Sequence, residues 1–255
     1  MLSPDLDVAR RFVEQHAPPG RLLLCGVSGA HLYGFPSPDS DLDLKGIHLA
    51  PTDALLGLSP STPAHDVTEV AEGVECDLTT NEVGSALALL LAGNGNMLER
   101  ALSRWQLVIS TDVDALQDLA RGAISRRFAR HYRGFFRGVT AEHERQPTVK
   151  SMLYSYRVAL TGIHLLRTGR LEPDVTVLAS ERGWTDVDDL VRRKRDGHEH
   201  GAIPEALDEA HRQRWAGLAD ELSDAEATSL LPDEAPNRRE VEAWLIARRR
   251  ADLDG

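Results

Sequence analysis

Two cysteines, three methionines and three lysines are all that the 255 residues contain of these types, and aromatic side chains make up 5%. Two thiols, Cys25 and Cys76, exclude a disulfide framework and a four-cysteine metal site. Each falls on a predicted core strand and reads as a small buried hydrophobe. No run of about 18 apolar residues occurs, which argues against a membrane-spanning helix and a membrane partner. The opening MLSPDLDVARRFVEQ is polar and acidic, unlike a secretory signal. These absences predict a reduced, cytoplasmic protein.

Basic charge is also in short supply. Lys and Arg number 29 against 40 Asp and Glu, for a net charge of −11. That sign discourages a polyanionic partner, but the charge is unevenly placed. Residues 1–120 carry −11, residues 121–170 carry +9 and residues 171–255 carry −9. Such asymmetry marks the 121–170 segment as a candidate polyanion surface, with a solvated basic helix face as the plainer reading.

What is present reads in order along the chain. Residues 4–17 have the spacing of an amphipathic helix, closed by Pro18-Pro19-Gly20. Residues 21–25 (RLLLC) form a buried strand, and 41–49 (DLDLKGIHL) alternate with the period of a strand. Residues 66–78 suggest two strands about a turn at Glu72-Gly73. Thr79 with Glu82 fits a capping box before an apolar helix, and Asn96 with Glu99 fits the start of the next. From about 115 onward the pattern is helical, with Leu153, Tyr156, Leu160, Ile163 and Leu166 on one face. Residues 222–237 read as a polar connector and 238–250 as a last helix. The predicted architecture is α+β. A small mixed sheet with flanking helices over residues 1–115 precedes a helical domain over residues 116–255.

The chemistry concentrates between Gly26 and Ile47. Asp41 and Asp43 are one residue apart on a predicted strand, so both carboxylates face one way while Leu42 and Leu44 face the core. Carboxylates about 6–7 Å apart along a strand repel unless a cation lies between them. Mg²⁺ (or Mn²⁺) is a fitting one, since it is commonly held by carboxylates together with substrate phosphates. Upstream, the Ser28-Gly29 turn leaves room and backbone donors for a phosphate. A third carboxylate on the strand Val74–Asp77 would complete the metal site and take a proton from an attacking hydroxyl. Asp77 is the first candidate and Glu75 the second.

A strand, a Gly-Ser turn and a following Asp-x-Asp resemble the signature of the DNA polymerase β-type nucleotidyltransferases. The longer string SGxxxYGxxxxxSDxDxxGI, Ser28 to Ile47, resembles a branch of predicted nucleotidyltransferases associated with RNA repair. Three downstream islands are similar to that branch: Gly93–Glu99, Lys150–Arg157 and Lys194–Glu199. The departures are Ala30 where the superfamily has a serine, and Gly95 where the branch tends to have proline.

The lysines carry a separate signal. The chain has 26 arginines, and its three lysines, Lys45, Lys150 and Lys194, all fall inside the islands. Lys150 and Arg157, about two helical turns apart, are assigned to nucleotide phosphates or an acceptor backbone, with Tyr154 and Lys194 joining them. Ser40 is assigned to orienting a ligand, with a plain turn cap as the alternative. Tyr33 stacks on a base or packs over its loop. His198-Glu199-His200 lacks further ligands for zinc. In residues 126–137 the aromatics stack RNA bases or face a helical core. Together the resemblance and these residues imply transfer of a nucleoside monophosphate from a triphosphate, taken as ATP, to an acceptor hydroxyl. An RNA end is the implied acceptor. A small-molecule or protein acceptor, or binding without catalysis, remains the alternative.

Overall fold

The computed structural model describes residues 3–58, 63–108, 110–197 and 202–254. His198, Glu199 and His200 therefore lie outside the described residues, the first two being the end of the fourth island. In chain order the elements begin with α1 (Leu6–Gln15), β1 (Arg21–Val27), α2 (Gly29–Tyr33) and β2 (Leu42–Leu49). They continue through α3 (Thr52–Leu56), β3 (Ala64–Ala71), β4 (Val74–Glu82), α4 (Val83–Leu91), α5 (Gly95–Leu102) and α6 (Thr111–Gly122). The remaining elements are all helical. They are α7 (Phe128–Arg145), α8 (Val149–Thr168), α9 (Val175–Glu181), α10 (Thr185–Asp196), α11 (Glu205–Arg212), α12 (Trp215–Thr228) and α13 (Arg238–Leu253).

The sheet has the order β1-β2-β4-β3. β2 pairs antiparallel with β1 and parallel with β4, and β4 pairs antiparallel with β3. The hairpin between β3 and β4 turns at Glu72 and Gly73, both with positive φ. One sheet face is apolar. Leu42, Leu44, Cys76 and Leu78 pack there against Val8, Phe12 and Val13 of α1. Burial pushes the Cys25 thiol up to about 12 and raises that of Cys76, so both thiols stay protonated, as small core hydrophobes would.

Packing divides the chain into two units, and they are not consecutive halves. The sheet unit comprises Ser3–Gly29, Asp41–Ala123 and Glu234–Gly255; the helical unit takes Ala30–Ser40 and Ile124–Asp233. A single cut at residue 115 does not describe this packing. Within the sheet unit the reason is ionic. Arg248 of α13 lies 2.8 Å from Asp112 of α6, which also meets Arg21 at 2.7 Å. Arg249 pairs with Glu82 at 3.0 Å, and Asp252 accepts from the Thr52 amide. Within the helical unit, α8 is buried on almost every side, and Leu153, Tyr156, Leu160, Ile163 and Leu166 all lie in its core.

Three local expectations fail. Thr79–Asn81 do not cap a helix; they extend β4, because they pair in register with Lys45–Ile47 of β2. Glu82 caps α4 instead, accepting from the Gly84 amide, and Asn94 rather than Asn96 caps α5. Residues 222–228 are not connector but the end of α12, held by buried Leu222 and Ala225.

Asp112 is 1% exposed between two arginines, so its removal leaves both guanidiniums without their buried acceptor. Asp112→Ala is expected to lower stability by about 1–3 kcal/mol, read as a lower urea midpoint, with Arg248→Ala losing less.

Candidate functional site

In the sheet unit the register of the parallel pair builds the site. Asp43 of β2 and Asp77 of β4 are direct partners. Alternation places both on the polar face, opposite the core residues Leu42, Leu44, Cys76 and Leu78. Lys45 follows Asp43 on the same face. Its Nζ donates to Asp77 Oδ2 at 2.7 Å and to Thr79 Oγ1 at 3.3 Å, and it lies 3.9 Å from Asp43 Oδ1. Asp41 immediately precedes β2, and its charge helps raise the Cys76 thiol. Glu75, the second candidate for the third acid, lies exposed near the start of β4.

The turn upstream is fitted to Asp43. The Ser28 amide donates to the Asp43 carbonyl at 2.7 Å. Gly29 has φ +61°, and a Cβ there would stand 1.7 Å from Asp43 Oδ2. Glycine is required twice over, by its backbone conformation and by the carboxylate that fills its side-chain space. Further along the strands, Arg100 of α5 donates to the Gly46 carbonyl at 2.9 Å and to Asn81, joining β2 to β4. Lys45 and Arg100 therefore belong to the site's framework, although neither was given a role from the sequence. Lys45 had a signal, since it stands two residues beyond Asp43 on a strand. Arg100 had only its place beside the Gly93–Glu99 island.

Two part-exposed carboxylates facing one way on adjacent strands are a hard-oxygen donor pair suited to Mg²⁺. The Lys45 ammonium between them shows that this spot holds a cation. Among the described residues no group of three or more His, Cys, Asp or Glu side chains is arranged to hold a metal ion. The fit therefore rests on the Asp43–Asp77 pair, with substrate oxygens needed to fill the sphere.

The other expected residues lie in the helical unit, in two different settings. Lys194 and Arg157 are each 1% exposed. Lys194 Nζ donates to Ser37 Oγ at 2.9 Å and Ser40 Oγ at 3.3 Å, and Ser40 Oγ also accepts from the Ser37 amide. The Arg157 guanidinium lies 3.9 Å from the Tyr33 ring centroid, 5.2 Å from Phe135 and 5.6 Å from Tyr154. Tyr33 packs over this cation. These two cations hold the 30–40 segment in place. Ala30 is buried in that segment. Lys150 and Tyr154 differ from them, for both line an open cavity of 490 Å³ beside α7. Along α7, Phe128, Tyr132 and Phe136 are buried, whereas Arg130, Arg137 and the preceding Arg127 are exposed. Arg126 and Arg133 pair with Asp233 and Glu226, so only part of the basic excess of 121–170 is open to a polyanion.

His31 lies in the same segment as Ser37 and Ser40. Burial, helped by the Lys194 charge, lowers its pKa to about 4. The folded state then binds fewer protons than the unfolded state between the usual value of 6.5 and about 4. Stability is accordingly lost as pH falls through that window, by up to about 3 kcal/mol. Denaturation midpoints measured from pH 7 to 4 should fall, and His31→Asn should flatten the fall.

The described residues contain no helix long and apolar enough to cross a membrane. A protein of Methanocaldococcus jannaschii described as uncharacterized is 30% identical to the chain over 151 residues. The match covers 58% of the chain and 61% of that relative's length. The crystal structure of a nucleotidyltransferase-like protein from Exiguobacterium sibiricum aligns over 87% of this chain and 75% of its own, with 13% identity and a TM-score of 0.36. The RNA repair pathway DNA polymerase β family matches residues 5–247, nearly the whole length. Matched over nearly its whole length, this chain belongs to that family.

Proposed function

We propose that the protein is a divalent-cation-dependent nucleotidyltransferase that moves a nucleoside monophosphate from a triphosphate, ATP first among them, to the hydroxyl of an RNA end. The observation that carries this reading is the pairing of Asp43 with Asp77 across β2 and β4, over a turn that only glycine can make. Asp41, Asp43 and Asp77 would hold Mg²⁺ or Mn²⁺, which when bound supplies charge neutralisation for the triphosphate. Lys45 keeps the carboxylates together before loading, and its ammonium then turns to the phosphate tail. The Asp77 carboxylate takes the proton of the acceptor hydroxyl. The freed oxygen bonds to the α-phosphorus in line, the bond to the bridging oxygen breaks, and pyrophosphate leaves. Exposed Arg127, just before α7, and Arg130 and Arg137 on it meet the acceptor's phosphates.

The Lys45–Asp77 ion pair also suits a protein that binds nucleotide without turnover, since an ammonium already satisfies the carboxylates. Incubation with labelled ATP, a short RNA and Mg²⁺ or Mn²⁺ separates the readings. Transfer to RNA is expected, falling to background in Asp43→Asn and by about 10²–10⁴-fold in Asp77→Asn. Affinity for the RNA should fall steeply with added salt. Binding of ATP with no labelled product in any metal would favour the non-catalytic reading.

A further inference from the structure

His143, Ser151 and Asp208 form a chain of hydrogen bonds in the helical unit that the carboxylate site does not use. His143 of α7 is fully buried. Its Nε2 lies 2.7 Å from Asp208 Oδ1 of α11, and its Nδ1 lies 2.6 Å from Ser151 Oγ of α8. A carboxylate only accepts, so Nε2 carries the ring proton and Nδ1 is left as the acceptor for the Ser151 hydroxyl. Trp215 meets the imidazole edge-on at 5.3 Å, and Arg212 lies 3.7 Å from Asp208 Oδ2. The order is acid, imidazole, hydroxyl, as in the triads that activate a serine, with the two ring nitrogens exchanged.

Ser151 also lines the open cavity of 490 Å³ at the junction of α7 and α8. Small-ligand sites span roughly 300–1,000 Å³. The same hydroxyl meets the Thr148 amide at 3.3 Å, the Thr148 hydroxyl at 2.9 Å and the Thr148 carbonyl at 3.1 Å, within a capping box. A helix cap needs only hydroxyls and amides. It needs no imidazole backed by a buried acid, whose withdrawal from water costs free energy. A base aimed at a hydroxyl on a cavity wall is the arrangement of an activated nucleophile.

We infer that this cavity is a second active site, a serine hydrolase centre for small carboxylic esters. Ser151 Oγ bonds to the acyl carbon while its proton passes to His143 Nδ1. The ester C–O bond breaks, and the alcohol leaves with that proton. Water then adds to the acyl-serine, giving its proton to the same nitrogen. The bond to Ser151 Oγ breaks, the proton returns to that oxygen, and the free acid departs. Lys150 on the cavity wall and the positive end of the 20-residue α8 offset the charge on the acyl oxygen. Phe135 and Val139 give the acyl group an apolar wall. Ser151 and His143 are the catalytic residues of this centre. Asp208 acts through His143 and is a positioning residue.

The test uses the full chain in EDTA without nucleotide, so its outcome does not depend on the transferase reading. The probe is diisopropyl fluorophosphate, since attack on its phosphorus by Ser151 Oγ expels fluoride and leaves a stable adduct. Stoichiometric label is expected on Ser151, located by mass spectrometry of peptides. The chain should also hydrolyse p-nitrophenyl acetate faster than buffer does, and Ser151→Ala should lose both. Asp208→Asn is expected to slow labelling of Ser151 by about 10²–10⁴-fold, with a melting curve to show that it is folded. If that variant does not fold, the wild-type chain in urea serves as the reference and should label no faster than free serine. Folded wild type with no label on Ser151, or with label only on other residues, overturns the inference. So does equal labelling of Ser151 in folded Asp208→Asn or in the unfolded wild-type chain.

Discussion

Two carboxylates forced level with one another by a parallel β register must be given a cation. Asp43 and Asp77 are such a pair, and the Lys45 ammonium lies between them at 3.9 and 2.7 Å. The repulsion would otherwise oppose the very strand pairing that creates it. Much of the sheet unit serves this arrangement. The Gly29 turn leaves room for the Asp43 carboxylate, and Arg100 ties the two strands further along. A pair of carboxylates held in place by a displaceable ammonium is also a natural receiver for a metal-bound polyphosphate. Structural need and proposed chemistry thus meet at one point.

The helical unit solves a different electrostatic problem. Lys194 and Arg157 are withdrawn from water, which costs free energy unless their donors and charge are matched. Hydroxyls of Ser37 and Ser40 receive the first, and the aromatic faces of Tyr33, Phe135 and Tyr154 surround the second. Desolvated cation–π contacts are worth about 2 kcal/mol each. The residues of the Lys150–Arg157 island therefore divide by depth. Lys150 and Tyr154 line a cavity, whereas Arg157 is buried against the Tyr33 ring of the 30–40 segment. A single motif mixes groups open to a cavity with a cation buried among aromatic rings.

The sequence made part of this legible because its signals there were local. The period-2 run at 41–49, the Glu72-Gly73 turn and the apolar face of α8 each follow from neighbours in the chain, and each is found where it was expected. Asp77 was a candidate because it shared a strand face with Glu75; that it stands level with Asp43 is set by a register no local pattern encodes. Thr79 with Glu82 carried a capping signature, but strand pairing with Lys45–Ile47 outweighs a cap. The return of α13 to the sheet unit depends on Asp112 meeting Arg248, 136 positions away in a chain rich in arginine. Net charge was the least informative property, because ion pairs within the helical unit consume much of the basic excess.

The central claim is that the nucleoside with its α-phosphorus is transferred, and neither the β- nor the γ-phosphorus. Parallel incubations with α-labelled and γ-labelled ATP, the same RNA and the same metal test it directly. The account predicts that the α label joins the RNA and that the γ label is recovered only in pyrophosphate. Appearance of the γ label on the acceptor, or release of both labels without any joined product, would contradict it.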